Sequence, residues 1–375
     1  MNSAGGARFL FTEGKRDLAT LLPELERWMR ATVPELSQAK LASVRPANNS
    51  AGQANETYVL ELESATDVDT GGGLILRTSP SRDKAYFPVC TVAKQYRIMC
   101  ALRELGTVPV PSCICYESRT DLFGAPFYIM ERVLGDVPAD SPPYTMAGFV
   151  FDAESSQRER LWSRMIHWIA EVGKVDWRHA GLDFLDWPDA SRSRIVQHLQ
   201  HWIDYRNWGL DGEAEDHPHA DRIIEWLRLR APLKEPACLL WGDARLANAI
   251  VRNFEPVALL DWEVAQIGNP LDDLAYFLTV NFVFHSNGAQ QEWCTPRLTG
   301  FMNEADTLIE FGHLSGIPTH DLPYYLVFNG FKCLSYMQRV TRLMLRAGVI
   351  NEAAAVAMRR MAAMDSWIFQ AMDRA

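Results

Sequence analysis

The chain has 375 residues, of which 48% are hydrophobic and 22% charged, a balance typical of a folded globular protein that excludes extended disorder. Its 37 Lys and Arg against 47 Asp and Glu give a formal net charge of −10. This charge argues against a nucleic-acid or anionic-membrane partner, because both need clustered cations. Single hydrophobic cores stop growing near about 300 residues, so we expect two lobes.

The first third of the chain is predicted to form a small sheet accompanied by helices. Apolar residues at helical spacing alternate there with short apolar runs bounded by turn residues. In chain order, these patterns predict a helix, two strands, a helix and two strands at residues 16–31, 57–62, 74–77, 89–105, 113–116 and 127–130. Gly135 and the proline-rich stretch 138–143 then indicate a boundary.

The rest of the chain is predicted to be mostly helical, with a short β interruption. The predicted helices are 155–175, 194–208, 219–230, 271–285, 290–313, 320–347 and 352–373. The predicted strands are 238–241, 249–252 and 257–260. We therefore predict an α+β fold with a small lobe of residues 1–133 and a larger helical lobe of residues 134–375.

Polar side chains directly follow two of these short strands. Asp243 and Asn248 lie in the loop after the first strand, and Asp261 follows the hairpin. Phosphoryl transfer needs a carboxylate that orients an attacking hydroxyl and accepts its proton, and oxygen ligands for Mg²⁺ on nucleotide phosphates. Asp243 suits the first task, and Asn248 and Asp261 suit the second. A short loop and a hairpin can bring all three to one small volume.

The same stretch resembles the aminoglycoside phosphotransferase and choline-kinase-like family, whose members are relatives of the protein kinases. Residues 241–248, 260–263 and 268–275 are similar to the family patterns H-G-D-x-x-x-x-N, I-D-W-E and G-x-P-x-x-D-L-A. The resemblance implies a protein-kinase-like fold of two lobes, with an antiparallel sheet in the N-terminal, nucleotide-binding lobe. The catalytic loop and the acceptor site would belong to the C-terminal lobe.

The resemblance also implies roles for individual residues of this stretch. Asp243 would be the catalytic base, and Arg245 a cation near the transferring phosphate. Asn248 and Asp261 would hold Mg²⁺. Asp273 would brace the catalytic loop, although a plain carboxylate favoured by the helix dipole is an equal interpretation.

Upstream segments are similar to a subgroup that includes the kinase-like region fused to some acyl-CoA dehydrogenases. Residues 53–58 resemble its Q-S-N-x-T-Y stretch, 74–77 its phosphate-contacting strand, and 127–133 its hinge. The implied nucleotide-binding residues are Arg77, Gln95, Gln53, Met130, Glu131 and Val133. Of these, the backbone at Glu131 and Val133 would bind adenine.

The sequence departs from the family pattern at three positions. Trp241 replaces the His of H-G-D, Gln95 stands where protein kinases have the Glu that pairs with the phosphate-binding cation, and Gly242 replaces their Arg. Arg77 presents a planar fork of donors that can hold phosphate oxygens without an anionic partner, so Gln95 can suffice. Without the Arg, no switch that reads activation-loop phosphorylation is expected.

These observations predict an ATP- or GTP- and Mg²⁺-dependent phosphotransferase that moves the γ-phosphate to a hydroxyl of a small molecule. The acceptor is either aminoglycoside-like or an alcohol resembling a hydroxyacyl-CoA. A non-catalytic, nucleotide-binding pseudokinase is the alternative, motivated by Trp241 and Gln95.

The seven cysteines include no Cys-x-x-Cys pair, and no secretory or membrane-spanning apolar run occurs. We therefore expect a cytoplasmic protein with reduced thiols.

Overall fold

The computed structural model describes residues 18–47, 55–63, 73–80, 84–89, 91–212, 217–286, 297–360 and 362–375. The strands among them are β1 Leu41–Pro46, β2 Glu56–Leu62, β3 Leu74–Thr78, β4 Cys113–Glu117, β5 Phe127–Glu131, β6 Cys238–Leu240, β7 Ala249–Arg252, β8 Glu255–Leu259 and β9 Gln266–Gly268. The α-helices are α1 Leu18–Thr32, α2 Val92–Leu105, α3 Phe149–Asp152, α4 Ser155–Gly173, α5 Arg194–Leu210, α6 Ala220–Leu229, α7 Leu271–Ser286, α8 Glu304–Ser315, α9 Leu322–Arg346, α10 Glu352–Arg360 and α11 Ala362–Met372.

The described residues belong to two compact units. The first, here called the sheet unit, comprises those within Phe11–Ser141 together with Ala247–Glu263. The second, here called the helical unit, includes those within Pro142–Leu246 and Val264–Ala375. The hairpin of β7 and β8 therefore belongs to the sheet unit, although it follows residue 134 in the sequence.

The sheet unit is built on a five-stranded antiparallel sheet of order β1-β2-β3-β5-β4. Successive side chains of a strand point to opposite faces. On β3, Leu74 and Leu76 are fully buried in a core that also holds Leu25 and Met29 of α1. Alternation therefore places Arg77 on the opposite face, where it is paired in register with Tyr128 of β5.

The β7–β8 hairpin turns at Asn253 and Phe254, whose φ angles are 53° and 61°. Positive φ at both central residues is the conformation of a type I′ turn, whose twist matches that of paired strands. Val251 of β7 also exchanges two backbone hydrogen bonds of 2.8 Å with Asp136. Gly135 is needed beside this bridge because a Cβ there would lie 2.7 Å from the Val251 carbonyl oxygen.

The helical unit contains the short antiparallel pair β6–β9 and helices α3 to α11 among its described residues. The 25-residue helix α9 runs through its core, with Phe328 and Phe331 fully buried. Trp162 of α4 packs edge-on against Phe277 of α7, with 4.6 Å between ring centroids. Burial of such aromatic side chains supplies much of the core.

Several predicted elements differ from the structure for local reasons. The strand predicted at 257–260 starts earlier and includes Pro256, which a bulge at Ile250 and Val251 accommodates. The helix predicted from residue 290 begins at Glu304 as α8, because Asn303 caps it by accepting a hydrogen bond from the Asp306 backbone N–H. Strands β1 and β9 were not predicted.

Two further features follow from the described residues. None of the helices they form has both the length and the apolar character needed to cross a lipid bilayer. Five cysteines in these ranges are free thiols, namely Cys100, Cys113, Cys115, Cys238 and Cys333.

Candidate functional site

The sheet unit contains a cavity of about 270 Å³ between its sheet and the β7–β8 hairpin. Thr57, Val59, Ile75 and Arg77 form part of one wall, on the face of the sheet that points away from α1. Residues of the segment 130–137 and of the hairpin ends also line it. The alternation of β2 and β3 thus supplies both an apolar core and a cavity wall.

Arg77 lines this cavity and is only 5% exposed. Its Nη1 donates to Gln95 Oε1 at 3.1 Å, and its Nη2 donates to Asp261 Oδ1 at 3.3 Å. Burial alone would lower the pKa of Arg77, but the negative charges of Asp261 and Glu263 outweigh it and raise the pKa above its usual value. Arg77 therefore stays charged.

Asn248 and Asp261 are placed together by the hairpin. The Leu260 backbone N–H donates to the Asn248 carbonyl at 2.8 Å, directly beyond the paired residues Ala249 and Leu259. Both predicted metal ligands line the cavity and are buried. Asp261 has a φ of 64°, in the left-handed region that few residues other than glycine adopt.

The predicted hinge lines the same cavity with Met130, Glu131 and Val133. Glu131 is tied to the chain before β4, since its backbone N–H donates to the Ser112 carbonyl at 2.9 Å and its Oε1 accepts from the Ser112 N–H at 2.8 Å. These two bonds fix the end of β5 at the cavity wall.

Glu263 is held by two residues to which the sequence assigned no role. Asn55 Nδ2 donates to Glu263 Oε2 at 2.9 Å in a buried contact, and Lys94 Nζ donates to the Glu263 carbonyl at 3.0 Å. Burial lowers the pKa of Lys94 to about 8, although the negative charge of Glu263 acts to raise it. Asn55 and Glu263 lie in the stretches 53–58 and 260–263, which resemble family motifs, so these motifs could have indicated both residues. For Lys94, the only indication in the sequence is its position next to Gln95.

In the helical unit, Asp243 and Arg245 form an ion pair with 3.1 Å between Oδ1 and Nε. The Tyr276 side chain of α7 also hydrogen-bonds to Asp243, and burial, followed by the charge of Asp243, raises the pKa of that phenol well above its usual value. Tyr276 therefore stays protonated and can act as a donor to the predicted base. No motif of the sequence indicates this contact.

Asp273 holds the start of the predicted catalytic loop. Its Oδ2 accepts from the Trp241 N–H at 2.6 Å and its Oδ1 from the Gly242 N–H at 2.7 Å. Burial, and then the charge of neighbouring Asp272, raise the pKa of Asp273 to about 7. Gly242 has a φ of 86°, and a Cβ there would lie 2.4 Å from the Val264 carbonyl oxygen. The loop therefore requires glycine at this position.

Asp272 anchors a buried polar network beneath this loop. It accepts from Lys332 Nζ and Asn329 Nδ2 at 2.8 Å and lies 3.2 Å from His198 Nδ1. The Trp202 indole donates to His198 Nε2 at 3.0 Å, so that nitrogen is unprotonated and the imidazole is neutral. Burial accordingly lowers the pKa of His198 to about 4.

The structure thus brings most predicted site residues into two groups. In the sheet unit, one cavity is lined by Arg77, Met130, Glu131, Val133, Asn248 and Asp261. Gln95 is buried behind Arg77, and Asp243 pairs with Arg245 in the helical unit. Gln53 lies outside the described residues. Within those residues, no cluster of three or more His, Cys, Asp and Glu side chains is arranged to hold a metal ion.

Comparison with known proteins identifies the family. Residues 47–296 match the model of the phosphotransferase enzyme family, and the chain belongs to that family. The family resemblance and the kinase-like fold predicted from the sequence are thereby confirmed. The family and its structural neighbours, which include aminoglycoside phosphotransferases, support a small-molecule phosphotransferase.

Two curated relatives carry a different name. The chain is 29% identical over 304 residues to mouse acyl-CoA dehydrogenase family member 10. The aligned region covers 77% of this chain and 25% of that protein. It is 26% identical over 322 residues to human acyl-CoA dehydrogenase family member 11, covering 82% of this chain and 36% of that protein. The chain therefore spans about a quarter to a third of the length of these relatives.

Two solved structures show the fold. A candidate aminoglycoside phosphotransferase from Ralstonia eutropha superposes with a TM-score of 0.70 at 25% identity, covering 94% of this chain and 98% of that one. A complex of an aminoglycoside 2″-phosphotransferase with GDP and kanamycin superposes with a TM-score of 0.52 at 15% identity, covering 94% and 96%. At 15% identity, the second likeness concerns the fold alone.

Proposed function

We propose that this protein is a Mg²⁺-dependent kinase that moves the γ-phosphate of ATP or GTP to a hydroxyl group of a small molecule. The observation that carries the proposal is the buried Arg77–Asp261 pair, which shares its cavity with Asn248. A phosphate-binding cation and two oxygen ligands for a hard metal ion are the groups that phosphoryl transfer requires.

The residues present fit a metal-bound nucleotide. Arg77 Nε is buried and has no hydrogen-bond partner among the described residues, so it has a donor available for a phosphate oxygen. The Asn248 amide and the Asp261 carboxylate provide oxygen atoms of the kind Mg²⁺ prefers. When bound, the metal and nucleotide supply the phosphoryl group and neutralise charge that develops during transfer.

The other residues take the roles that the family pattern implies. Gln95 orients Arg77. Met130 packs near the nucleobase of the bound nucleotide, and the backbone at Glu131 and Val133 binds that nucleobase. Gln53 is proposed for the phosphate loop. Residues 1–133 would then form the nucleotide-binding lobe and 134–375 the acceptor-binding one.

In the chemical step, Asp243 accepts the proton of the attacking hydroxyl. Arg245, paired with Asp243, provides positive charge near the transferred group. Tyr276 donates a hydrogen bond to the same carboxylate and fixes its orientation. Such a positioned base typically contributes about 10²- to 10⁴-fold to the rate.

The acceptor proposed first is an alcohol resembling a hydroxyacyl-CoA, with an aminoglycoside-like polyol as the other class. Similarity to the acyl-CoA dehydrogenase family members supports the first class. Similarity at 25% identity to the candidate aminoglycoside phosphotransferase from Ralstonia eutropha supports the second. We also propose a cytoplasmic location, in keeping with the free thiols among the described cysteines.

The test is nucleotide consumption by the purified protein with ATP or GTP, Mg²⁺ and a panel of both acceptor classes. We expect phosphorylated product from one class, detected by mass spectrometry. Asp243→Asn should slow turnover by at least about 100-fold. Asp221→Asn, an exposed first-turn residue of α6, is the matched control and should leave the rate unchanged. Equal rates in Asp243→Asn and the wild type would show that Asp243 is not the base.

A non-catalytic nucleotide-binding protein is the second candidate function, favoured by Trp241 and Gln95. Trp241 is fully buried, and its N–H is held by Asp273, so the loop is braced without the family's His. Mg²⁺-dependent nucleotide binding without product from any acceptor would support this candidate over the kinase.

A further inference from the structure

The buried link between Asn55, Lys94 and Glu263 lies outside the roles assigned above. Glu263 is 6% exposed and is fastened twice, by its carboxylate to Asn55 and by its carbonyl to Lys94. The two donors come from the residue before β2 and from α2, far from Glu263 in sequence. Both contacts lie within the sheet unit.

The segment they fasten contains a strained residue. Asp261 has a φ of 64°, a left-handed conformation that is unfavourable for a residue other than glycine. Strain of this kind persists only where surrounding contacts determine the backbone. Trp262 supplies one such contact, since its buried indole donates to the Leu259 carbonyl at 3.1 Å. The Glu263 contacts fix the other side of Asp261.

Neighbouring residues of α2 act on both members of the central ion pair. Gln95 accepts from Arg77, while Lys94 donates to the carbonyl two residues beyond Asp261. One turn of α2 therefore sets the position of the cation and of the carboxylate. Asn55, the residue directly before β2, adds a second anchor next to a strand that lines the cavity.

We propose that Asn55 and Lys94 are positioning residues that hold Glu263 and thereby keep the Asp261 carboxylate directed for Mg²⁺ on a nucleotide. This inference rests on the proposed function, which assigns Asp261 to the metal. Neither residue touches the metal or the phosphates in this role. Partners that orient a metal ligand typically change metal affinity by about 10- to 100-fold when removed.

The test measures binding of non-hydrolysable ATP and GTP analogues by calorimetry, with and without Mg²⁺. The variants are Asn55→Leu and Lys94→Met, and the control is Lys40→Met, which removes an exposed lysine paired with Glu63 in the same unit. We expect the Mg²⁺-dependent gain in affinity to fall by about 10-fold or more in both variants, with metal-free affinity changed less than threefold. Lys40→Met should match the wild type.

A second measurement needs no nucleotide and reports the same positioning. Hydrogen exchange at the amides of residues 260–264 should be at least tenfold faster in Asn55→Leu and Lys94→Met than in Lys40→Met. Lys94→Arg, which keeps a donor, should restore part of the protection even if Lys94→Met folds poorly.

The outcomes separate the two claims. If the wild type gains affinity with Mg²⁺ and both variants keep that gain, or lose metal-free and metal-bound affinity equally, Asn55 and Lys94 are structural only and the inference is wrong. If the wild type binds neither analogue, the proposed function and this inference are both overturned.

Discussion

Arg77 and Asp261 form an ion pair in which both side chains are almost excluded from water, at 6% and 5% exposure. Removing either charge would leave the other buried without a partner, and an unpaired buried charge lowers the free energy of unfolding. Asp261→Asn keeps the shape and tolerates the positive φ, but it leaves Arg77 without its anionic hydrogen-bond partner. We expect the free energy of unfolding to fall by about 3 kcal/mol in urea titrations.

The matched control for this substitution is Asp121→Asn, an exposed aspartate of the sheet unit. A surface change of this kind is expected to stay within about 0.5 kcal/mol of the wild type. Equal stability of the two variants would mean that the pair contributes nothing to folding.

Gly242 and Gly106 separate two effects of replacing a glycine that has positive φ. At Gly242 a Cβ would meet the Val264 carbonyl at 2.4 Å, whereas at Gly106, with φ of 65°, nothing lies within 4 Å. Gly106→Ala should therefore cost only the backbone strain, about 1 kcal/mol. Gly242→Ala adds a clash between backbones and should cost more than about 3 kcal/mol in the same urea titration. Similar losses would refute the close approach.

Asp273→Asn tests the bracing of the loop that carries Asp243. An amide has only one acceptor oxygen, so either the Trp241 or the Gly242 N–H loses its partner. We expect a loss of about 1–3 kcal/mol in stability and, under the proposed function, at least tenfold slower product formation. Asp221→Asn, in the first turn of α6, should change neither quantity.

His198 makes stability depend on pH in a defined window. Its pKa is lowered to about 4 by burial, while an unfolded histidine titrates near about 6.5. Between these values the unfolded chain binds the extra proton, so the contribution of His198 to stability is full above about 6.5 and is lost as the pH drops towards about 4; Asp273, with its raised pKa of about 7, contributes with the opposite sign. The total loss from this group is about 3 kcal/mol.

The check is a series of urea titrations from pH 7 to pH 4 on the wild type and on His198→Asn. The variant removes the titrating group, so its stability relative to that of the wild type should rise as the pH drops through this window. His320, which is exposed, provides the comparison through His320→Asn, whose profile should follow the wild type. A parallel decline in all three proteins would assign the pH dependence to other groups.

Much of the fold was predictable because local patterns carry it. Strands β3 and β5 and helix α5 begin at the predicted residues. Strand β1 was missed because its burial alternates irregularly across a bulge next to Ser43. The break before α8 was missed because it depends on the Asn303 cap and on Gly300, where a Cβ would meet Ser155 at 2.1 Å.

In the candidate site, too, local motifs indicate some residues, whereas others are known only from contacts between distant parts of the chain. Arg77, Asn248 and Asp261 were selected from motifs, and the structure places them around one cavity. The assigned roles remain predictions. No short sequence pattern indicates a role for Lys94, because its contact with Glu263 spans 169 residues. The same holds for Asp272 and Lys332, 60 residues apart. Long-range polar partners are specified by the folded chain as a whole, not by local spacing.

The sheet unit is assembled from two separate stretches of sequence, and this affects the order in which the protein can fold. During synthesis, residues up to Ser141 leave the ribosome well before Ala247–Glu263. Until Ala247–Glu263 has been synthesised, strand β3, which carries Arg77, lacks both the carboxylate of Asp261 and the part of the cavity wall that includes Asn248. The nascent N-terminal region therefore contains an arginine without its buried carboxylate partner until more than a hundred further residues have been synthesised and can complete the cavity.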